Sequence, residues 1–176
     1  MKGKDNSKEY LFVDGYNVIN SWKRLQELSS IDLNLAREEL IETMAEYQSY
    51  SGIKVIIVFD AHMVKGNSGK KEIIKGVEVI YTKENETADQ YIEKVLDDIG
   101  RIRKVRVATS DWMEQQIVLG RGGTRISARE LEVEICNYKR LINKKRRSQK
   151  AKGDLFIGKL NEDILKKLDE WAKGKE

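Results

Sequence analysis

Hydrophobic and polar positions alternate between two periods along the chain, and the switching predicts strands that lead into helices. After a polar stretch at 1–9, read as a frayed tail, the run Tyr10–Val13 is apolar and ends in a carboxylate, Asp14. It reads as a buried strand. Residues 21–32 carry Trp22, Leu25 and Leu28 and read as a connector with a short helix. Leu33, Ala36, Leu40, Met44 and Tyr47 then fall at helical spacing, predicting a helix over about 33–50 that Ser51-Gly52 ends. Ile53–Phe59 is apolar except for Lys54, as expected of a strand buried on both faces, and it too ends in a carboxylate, Asp60. Residues 61–71, with Gly66-Asn67-Ser68-Gly69, read as a basic loop, and Val77–Tyr81 as the next strand.

The second half repeats the pattern. Thr87 caps a helix whose apolar face is Ala88, Tyr91, Ile92, Val95, Leu96 and Ile99, with Asp89 in its first turn and Gly100 at its end. Val105–Ala108 is a strand running into Thr109-Ser110-Asp111, and Asp111 with Glu114 has capping-box spacing for a helix over 111–119. Gly120–Gly123 is a turn before a short strand at 124–126. Ser127 and Glu130 form a second capping box, opening a helix marked by Leu131, Ile135, Tyr138 and Ile142. A last helix, capped by Asn161 and stapled by Leu160 and Leu165, carries Ile164, Leu168 and Trp171.

Strands alternating with helices predict an α/β fold: a mainly parallel sheet with helices on both faces. Right-handed crossovers place all strand C-termini on one edge, where open α/β sheets bind ligands. Asp14, Asp60 and Asp111 follow strands and Asp89 opens a helix, so all four converge on that edge. Gly15 lets the backbone turn, and Asn17 emerges beside Asp14. Clustered carboxylates repel unless a cation neutralises them. Oxygen donors without a histidine cluster favour Mg²⁺ or Mn²⁺, which can activate water and stabilise charge on a phosphodiester. Each acid also has a plainer role open to it: Asp111 as an N-cap, Asp89 as a charge on the helix dipole, Asp60 as a turn former.

Composition narrows this picture. The chain has 176 residues, enough for one domain with one core. It is 35% charged with net charge +4, mildly favouring a polyanionic partner. Its one histidine, His62, makes a histidine acid–base pair unavailable within the chain. Its one cysteine, Cys136, makes an intrachain disulfide impossible and reads as core. No apolar run reaches the ~20 residues that span a bilayer, and no signal-peptide core opens the chain, so a cytoplasmic protein without a membrane partner is expected. Lys144-Lys145-Arg146-Arg147, flanked by Lys139, Arg140, Lys150 and Lys152, is the densest basic tract. With Lys65, Lys70, Lys71, Arg121 and Arg125 it supplies candidate phosphate contacts, although lysines also suit a solvated helix end. Tyr16 can stack on a base or serve as core.

Val13-Asp14-Gly15-Tyr16-Asn17-Val18-Ile19 resembles the opening motif of NYN domains, a branch of the PIN-like nucleases. Val58-Phe59-Asp60-Ala61, Thr87-Ala88-Asp89 and Ala108-Thr109-Ser110-Asp111 resemble the later motifs, in order, and Arg125–Leu131 resembles the tail motif of the YacP-like subfamily. The resemblance covers about 10–147. It implies a PIN-like Rossmannoid three-layer fold and a metal-dependent ribonuclease. More narrowly, it implies a ribosome-associated endoribonuclease that cuts mRNA in the ribosomal A site, with the ribosome and mRNA as partners. Carried onto this chain, Asp14, Asp89 and Asp111 become the catalytic acids and metal ligands, Asn17 orients them and Asp60 is auxiliary. Residues 148–176 lie outside those motifs and are expected to form a basic linker and a helix packing on the domain. Competing readings are a non-catalytic RNA- or ribosome-binding protein, a nuclease acting on tRNA or rRNA, and a phosphatase-type enzyme. The last usually has a second Asp two residues after the first, where this chain has Tyr16.

Overall fold

A computed structural model describes residues 9–63, 66 and 69–173, apart from the side chains at 156, 157, 160 and 161. The elements in order are β1 (Glu9–Asp14), α1 (Gly15–Ser21), α2 (Lys23–Ile31), α3 (Leu33–Ser51), β2 (Lys54–Phe59), β3 (Lys71–Ile74), β4 (Val77–Tyr81), α4 (Ala88–Ile99), β5 (Lys104–Ala108), α5 (Trp112–Gly120), β6 (Thr124–Ile126) and α6 (Ala128–Lys173). The chain divides into two compact units, 1–135 and 136–176, a boundary earlier than the 147/148 boundary drawn from the motifs.

The first unit is built on a six-stranded sheet ordered β3-β4-β2-β1-β5-β6, parallel except for the β3–β4 pair. Val13 stands opposite Ile57 of β2 and Ala108 of β5, so these central strands end level with one another. Alternate side chains leave a strand on opposite faces, and both faces are buried. Phe12, Ile56, Val58, Ile80, Val105 and Val107 pack with Ala88, Ile92 and Leu96 of α4 and Val118 of α5. Arg106, between Val105 and Val107, therefore points to the other face. Its guanidinium donates to the Glu134 carboxylate of α6 at 3.1 and 2.7 Å, and the Tyr47 hydroxyl of α3 donates to the same carboxylate. This places α3 and the start of α6 opposite α4 and α5, giving the three-layer α/β fold that the alternation predicts. Arg106 foremost, helped by Tyr47, holds the Glu134 carboxyl below its usual range, so the joint between sheet and helix is ionic.

Three expectations change. An edge strand, β3, too short and too charged to stand out, begins at the last residue of the expected 61–71 loop and fills the stretch before β4 that carried no assignment. Lys75 (φ 51°) and Gly76 (φ 85°) form the tight reversal into β4. The expected linker and Asn161-capped final helix are instead one helix, α6, running through the basic tract to Lys173. Lys, Arg, Gln and Ala are good helix formers, there is no proline, and Gly153 and Gly158 cost only about 1 kcal/mol each. The side chains of Asn161 and Leu160, and with them the proposed cap and staple, lie outside the described residues. Cys136 is exposed rather than core, because Ile135 takes the inward position and the next residue sits about 100° further round the helix. Within the second unit, Leu155, Ile164, Leu165, Leu168 and Trp171 are exposed.

Candidate active site

The level ends of β1 and β5 bring two loops together. Asp14 is the N-cap of α1, accepting the Asn17 backbone N–H at 3.1 Å. The Asn17 side-chain carbonyl accepts the backbone N–H of Ser110 at 2.7 Å, tying the β1–α1 turn to the β5–α5 loop. Asn17 thus bridges the two loops that carry Asp14 and Asp111. Gly15 is required for a different reason from the expected turn. It already lies in α1, and a Cβ there would meet the Phe59 ring at 2.3 Å. Phe59 is fully buried between Tyr16 (5.1 Å between centroids) and Tyr81 (5.8 Å). The Tyr16 hydroxyl accepts from Arg37 at 3.0 Å, which with Phe59 fixes the Tyr16 ring.

Asp89 arrives in the first turn of α4, behind a complete Thr87–Gln90 capping box. The third member of the cluster is Glu114. One carboxylate oxygen from each of Asp14, Asp89 and Glu114 lies within 4.8 Å of the others. Sequence reasoning gave Glu114 only a capping role. In that role its carboxylate would take the Asp111 N–H, but the Thr109 hydroxyl accepts that N–H at 3.1 Å. Glu114 is thereby free to turn inward. Asp111 is the true N-cap of α5, accepting from Met113 and Glu114 backbone N–H groups at 2.8 and 3.3 Å, and lies outside the tight group. The available signal for Glu114 was its place in the first turn of a helix following a strand, the same placement that marks Asp89.

Burial dominates the electrostatics. Asp14 is 9% exposed and Glu114 3%. Loss of solvent pushes the Asp14 carboxyl up from 3.8 to about 7, opposed by the Asn17 N–H and reinforced by Asp89 and Asp60. Burial pushes Glu114 up from 4.5 to about 8, countered by the nearby Thr109 hydroxyl and reinforced by Asp14, Asp89 and Asp111. Thr109 does not reach hydrogen-bond geometry: neither Glu114 carboxylate oxygen has a partner among the described residues. Buried polar atoms are nearly always paired, and two carboxylates this close repel by about 3 kcal/mol at an effective dielectric of 20. An orphaned carboxylate facing two others fits a hard divalent cation, which would satisfy its oxygens and offset the repulsion. Asp60 contributes charge to this site, but its carboxylate accepts the His62 backbone N–H at 2.9 Å and is not in the tight group.

The basic candidates scatter. Lys70, just before β3, pairs with Glu72 of that strand, and Lys71 donates to the Tyr91 hydroxyl of α4 at 3.2 Å. Lys65 lies outside the described residues. Arg121 follows the C-terminal end of α5, at the sheet edge opposite the acids, paired there with Glu93 and Asp97 of α4. A helix after a parallel strand runs back across the sheet, which is why this arginine ends far from the site. Arg125 lies 3.7 Å from Glu130 and stays 43% exposed. Lys144, Lys145, Arg146 and Arg147 are exposed on α6, in the second unit.

Residues 11–173 match the family model described as YacP-like NYN domain, which brings 148–173 inside the family's span. The chain is 47% identical over 169 residues to a Bacillus subtilis protein named uncharacterized protein YacP, covering 94% of this chain and 98% of that protein. The crystal structure of Rae1 (YacP) from Bacillus subtilis is similar at 45% identity and a TM-score of 0.70, over 94% of this chain and 95% of that one. A crystal structure of a point mutant of the same protein is similar at 46% identity and a TM-score of 0.67, over 79% and 81% of the two chains.

Proposed function

The chain belongs to the YacP-like NYN domain family, and from that premise and the carboxylate cluster we propose that it is a divalent-metal-dependent endoribonuclease that cuts mRNA on translating ribosomes in the cytoplasm. NYN domains are nuclease-like. The observation that carries the reading is the buried, unpaired carboxylate of Glu114 beside Asp14 and Asp89. Asp14, Asp89 and Glu114 would hold Mg²⁺ or Mn²⁺, with Asp111 reassigned from ligand to positioning residue. A divalent cation there supplies Lewis-acid stabilisation of phosphodiester charge and lowers the pKa of water.

The chain's own residues supply the geometry. Asp111 holds the first turn of α5, and with it Glu114, at the site. Asn17 locks the two loops together. Tyr16, two residues from Asp14, is backed by Phe59 and held by Arg37. His62, the chain's one histidine, donates its backbone N–H to Asp60 in a short exposed turn, which supports hydrolysis to 5′-phosphate and 3′-hydroxyl ends over 2′-hydroxyl chemistry.

Dependence on the ribosome is supported by the family resemblance and by the kind of grip available. Exposed Lys and Arg read phosphates, which gives affinity without sequence choice. A ribosome presenting a short mRNA segment at a fixed distance would supply the missing selectivity by raising the effective concentration of one bond. No helix among the described residues is long and apolar enough to cross a membrane. The test compares one transcript, naked and during translation, with wild type and Asp14→Asn, in Mg²⁺ or EDTA, mapping the ends. Cutting confined to translated RNA, wild type and Mg²⁺ is expected. Equal rates and sites on naked RNA would remove the ribosome from the mechanism, and cutting by Asp14→Asn at the wild-type rate would remove the acidic site.

A further inference from the structure

We infer that Arg37 is a phosphate-binding residue: its guanidinium holds a flanking phosphate of the RNA strand whose scissile bond lies at the Asp14–Asp89–Glu114 cluster. The inference rests on the ribonuclease reading and adds to it a cation that positions the strand.

Arg37 stands next to Glu38 and Glu39 rather than in a basic run. Arg24, Arg106, Arg121 and Arg125 each pair with a carboxylate, and Glu39 is the partner of Arg24. Arg37 is half-buried on α3. Among the described residues its guanidinium donates only to neutral groups, the Tyr16 hydroxyl at 3.0 Å and the Asn34 side-chain carbonyl. A partly desolvated charge is costly without an opposite charge. A guanidinium carries five N–H donors in a planar fork, and two of them are engaged. The others have no partner among the described residues, and a phosphate presents the paired oxygens that such a fork matches.

The fold puts Arg37 on the same edge as the acids. Helix α3 ends at Ser51, just before β2 starts at Lys54, so its first turns, with Arg37 in the second, lie toward the edge where the strands end. Tyr16 in the first turn of α1, Phe59 at the end of β2 and Tyr81 at the end of β4 pack in a row along that edge. Asp14 and Tyr16 leave the chain in different directions, at about 100° per helical residue, so Arg37 takes a flanking phosphate and not the one at the acids. Asp60, the residue after Phe59, faces both sides. Burial foremost raises the Asp14 carboxyl and the Tyr16 hydroxyl, and Asp60 adds to each, so its charge reaches both. A strand laid over this edge, at ~3.4 Å per stacked nucleotide, passes from the acids to Arg37 within a few nucleotides. Asp14, Asp89, Glu114 and Asp60 repel that strand, and a metal at the cluster offsets the repulsion only there. Arg37 supplies the opposite charge beside it.

The test measures equilibrium binding of a short naked single-stranded RNA, which the ribosome-confined reading leaves uncut, to wild type, Arg37→Met, Arg37→Lys and Tyr16→Phe over a range of salt concentrations. Each protein is also titrated with a series of the same RNA in which one phosphate at a time is a neutral methylphosphonate on 2′-O-methyl sugars. Cutting by wild type is followed separately on a transcript during translation. Arg37→Met should bind about tenfold more weakly, with a salt slope flatter by about 0.7. Arg37→Lys should keep the slope and lose part of the affinity, because an ammonium has no planar fork. Tyr16→Phe removes the hydroxyl that Arg37 holds and should keep the wild-type slope, which separates a phosphate contact from a merely structural one. One neutralised phosphate should weaken wild type as much as Arg37→Met does, and should cost Arg37→Met nothing further. Wild-type affinity in Arg37→Met, a weakened Arg37→Met with an unchanged slope, or losses that simply add at every phosphate overturns the inference, and so does a wild type that fails to bind. A wild type that binds with the expected pattern but cuts no translated transcript keeps the contact as strand binding alone and removes the ribonuclease reading.

Discussion

Glu114→Gln keeps the shape of a buried side chain and removes its ability to ionise. In the folded, metal-free protein Glu114 holds its proton up to about pH 8, against 4.5 for an ordinary glutamate. The unfolded chain releases that proton near the ordinary value. Between the two the folded state binds more protons, so the stability contribution is fully present below about pH 4.5 and is lost as pH rises toward 8. The slope is about 1.4 kcal/mol per pH unit for one proton. From pH 5 to pH 8 this amounts to roughly 4 kcal/mol for Glu114. For a chain of this size that is roughly 10 °C in Tm. Asp14, pushed up to about 7, acts with the same sign, but the two acids share one burial and one repulsion, so their effects are not summed. The assay is thermal or urea denaturation in EDTA at pH 5, 6, 7 and 8. Wild type should lose stability steeply across this series and Glu114→Gln much less. The curves should cross: the variant starts at or below wild type at pH 5 and ends above it at pH 8. Mn²⁺ added at pH 8 should raise the wild-type Tm and raise the variant's far less. Parallel pH curves, or an equal Mn²⁺ gain in both proteins, would refute the cluster as drawn.

Two further outcomes are expected. Gly15→Ala places a Cβ at 2.3 Å from the Phe59 ring, so it should destabilise by about 1–3 kcal/mol; urea denaturation within 0.5 kcal/mol (roughly) of wild type would show that the ring moves aside freely. Replacing Lys144, Lys145, Arg146 and Arg147 with Ala should weaken RNA or ribosome binding and flatten its salt dependence by about 0.7 per lost phosphate contact on a single strand, and unchanged affinity at every salt concentration would assign the tract to solvent.

Much of this protein was legible in local pattern. Short apolar runs ending in Asp14 and Asp60, the helical spacing from Ala88 to Ile99 and the Thr87–Gln90 cap are set by neighbours within a few residues, so strands, helices and the acids at their junctions could be read in order. Parallel topology then placed Asp14 and Asp89 on one edge, where the structure has them. Continuity of α6 through the basic tract is written in the same local terms, in helix formers without a proline, although the charge run and the Asn161 cap signal point to a break. Tertiary structure decided the rest. Asp111 and Glu114 have equal claims by spacing; Thr109 takes one N–H, Asp111 takes others, and the leftover carboxylate becomes the buried one. Gly15 is explained by the ring of Phe59, on strand β2, Tyr16 is held by Arg37, and Arg121 is claimed by α4. Periodicity records which way a side chain faces, because that depends on its own backbone. Whether a polar group is left as a ligand, a cap or an ion-pair partner depends on which donors and acceptors distant segments have already satisfied, and only the assembled fold sets that.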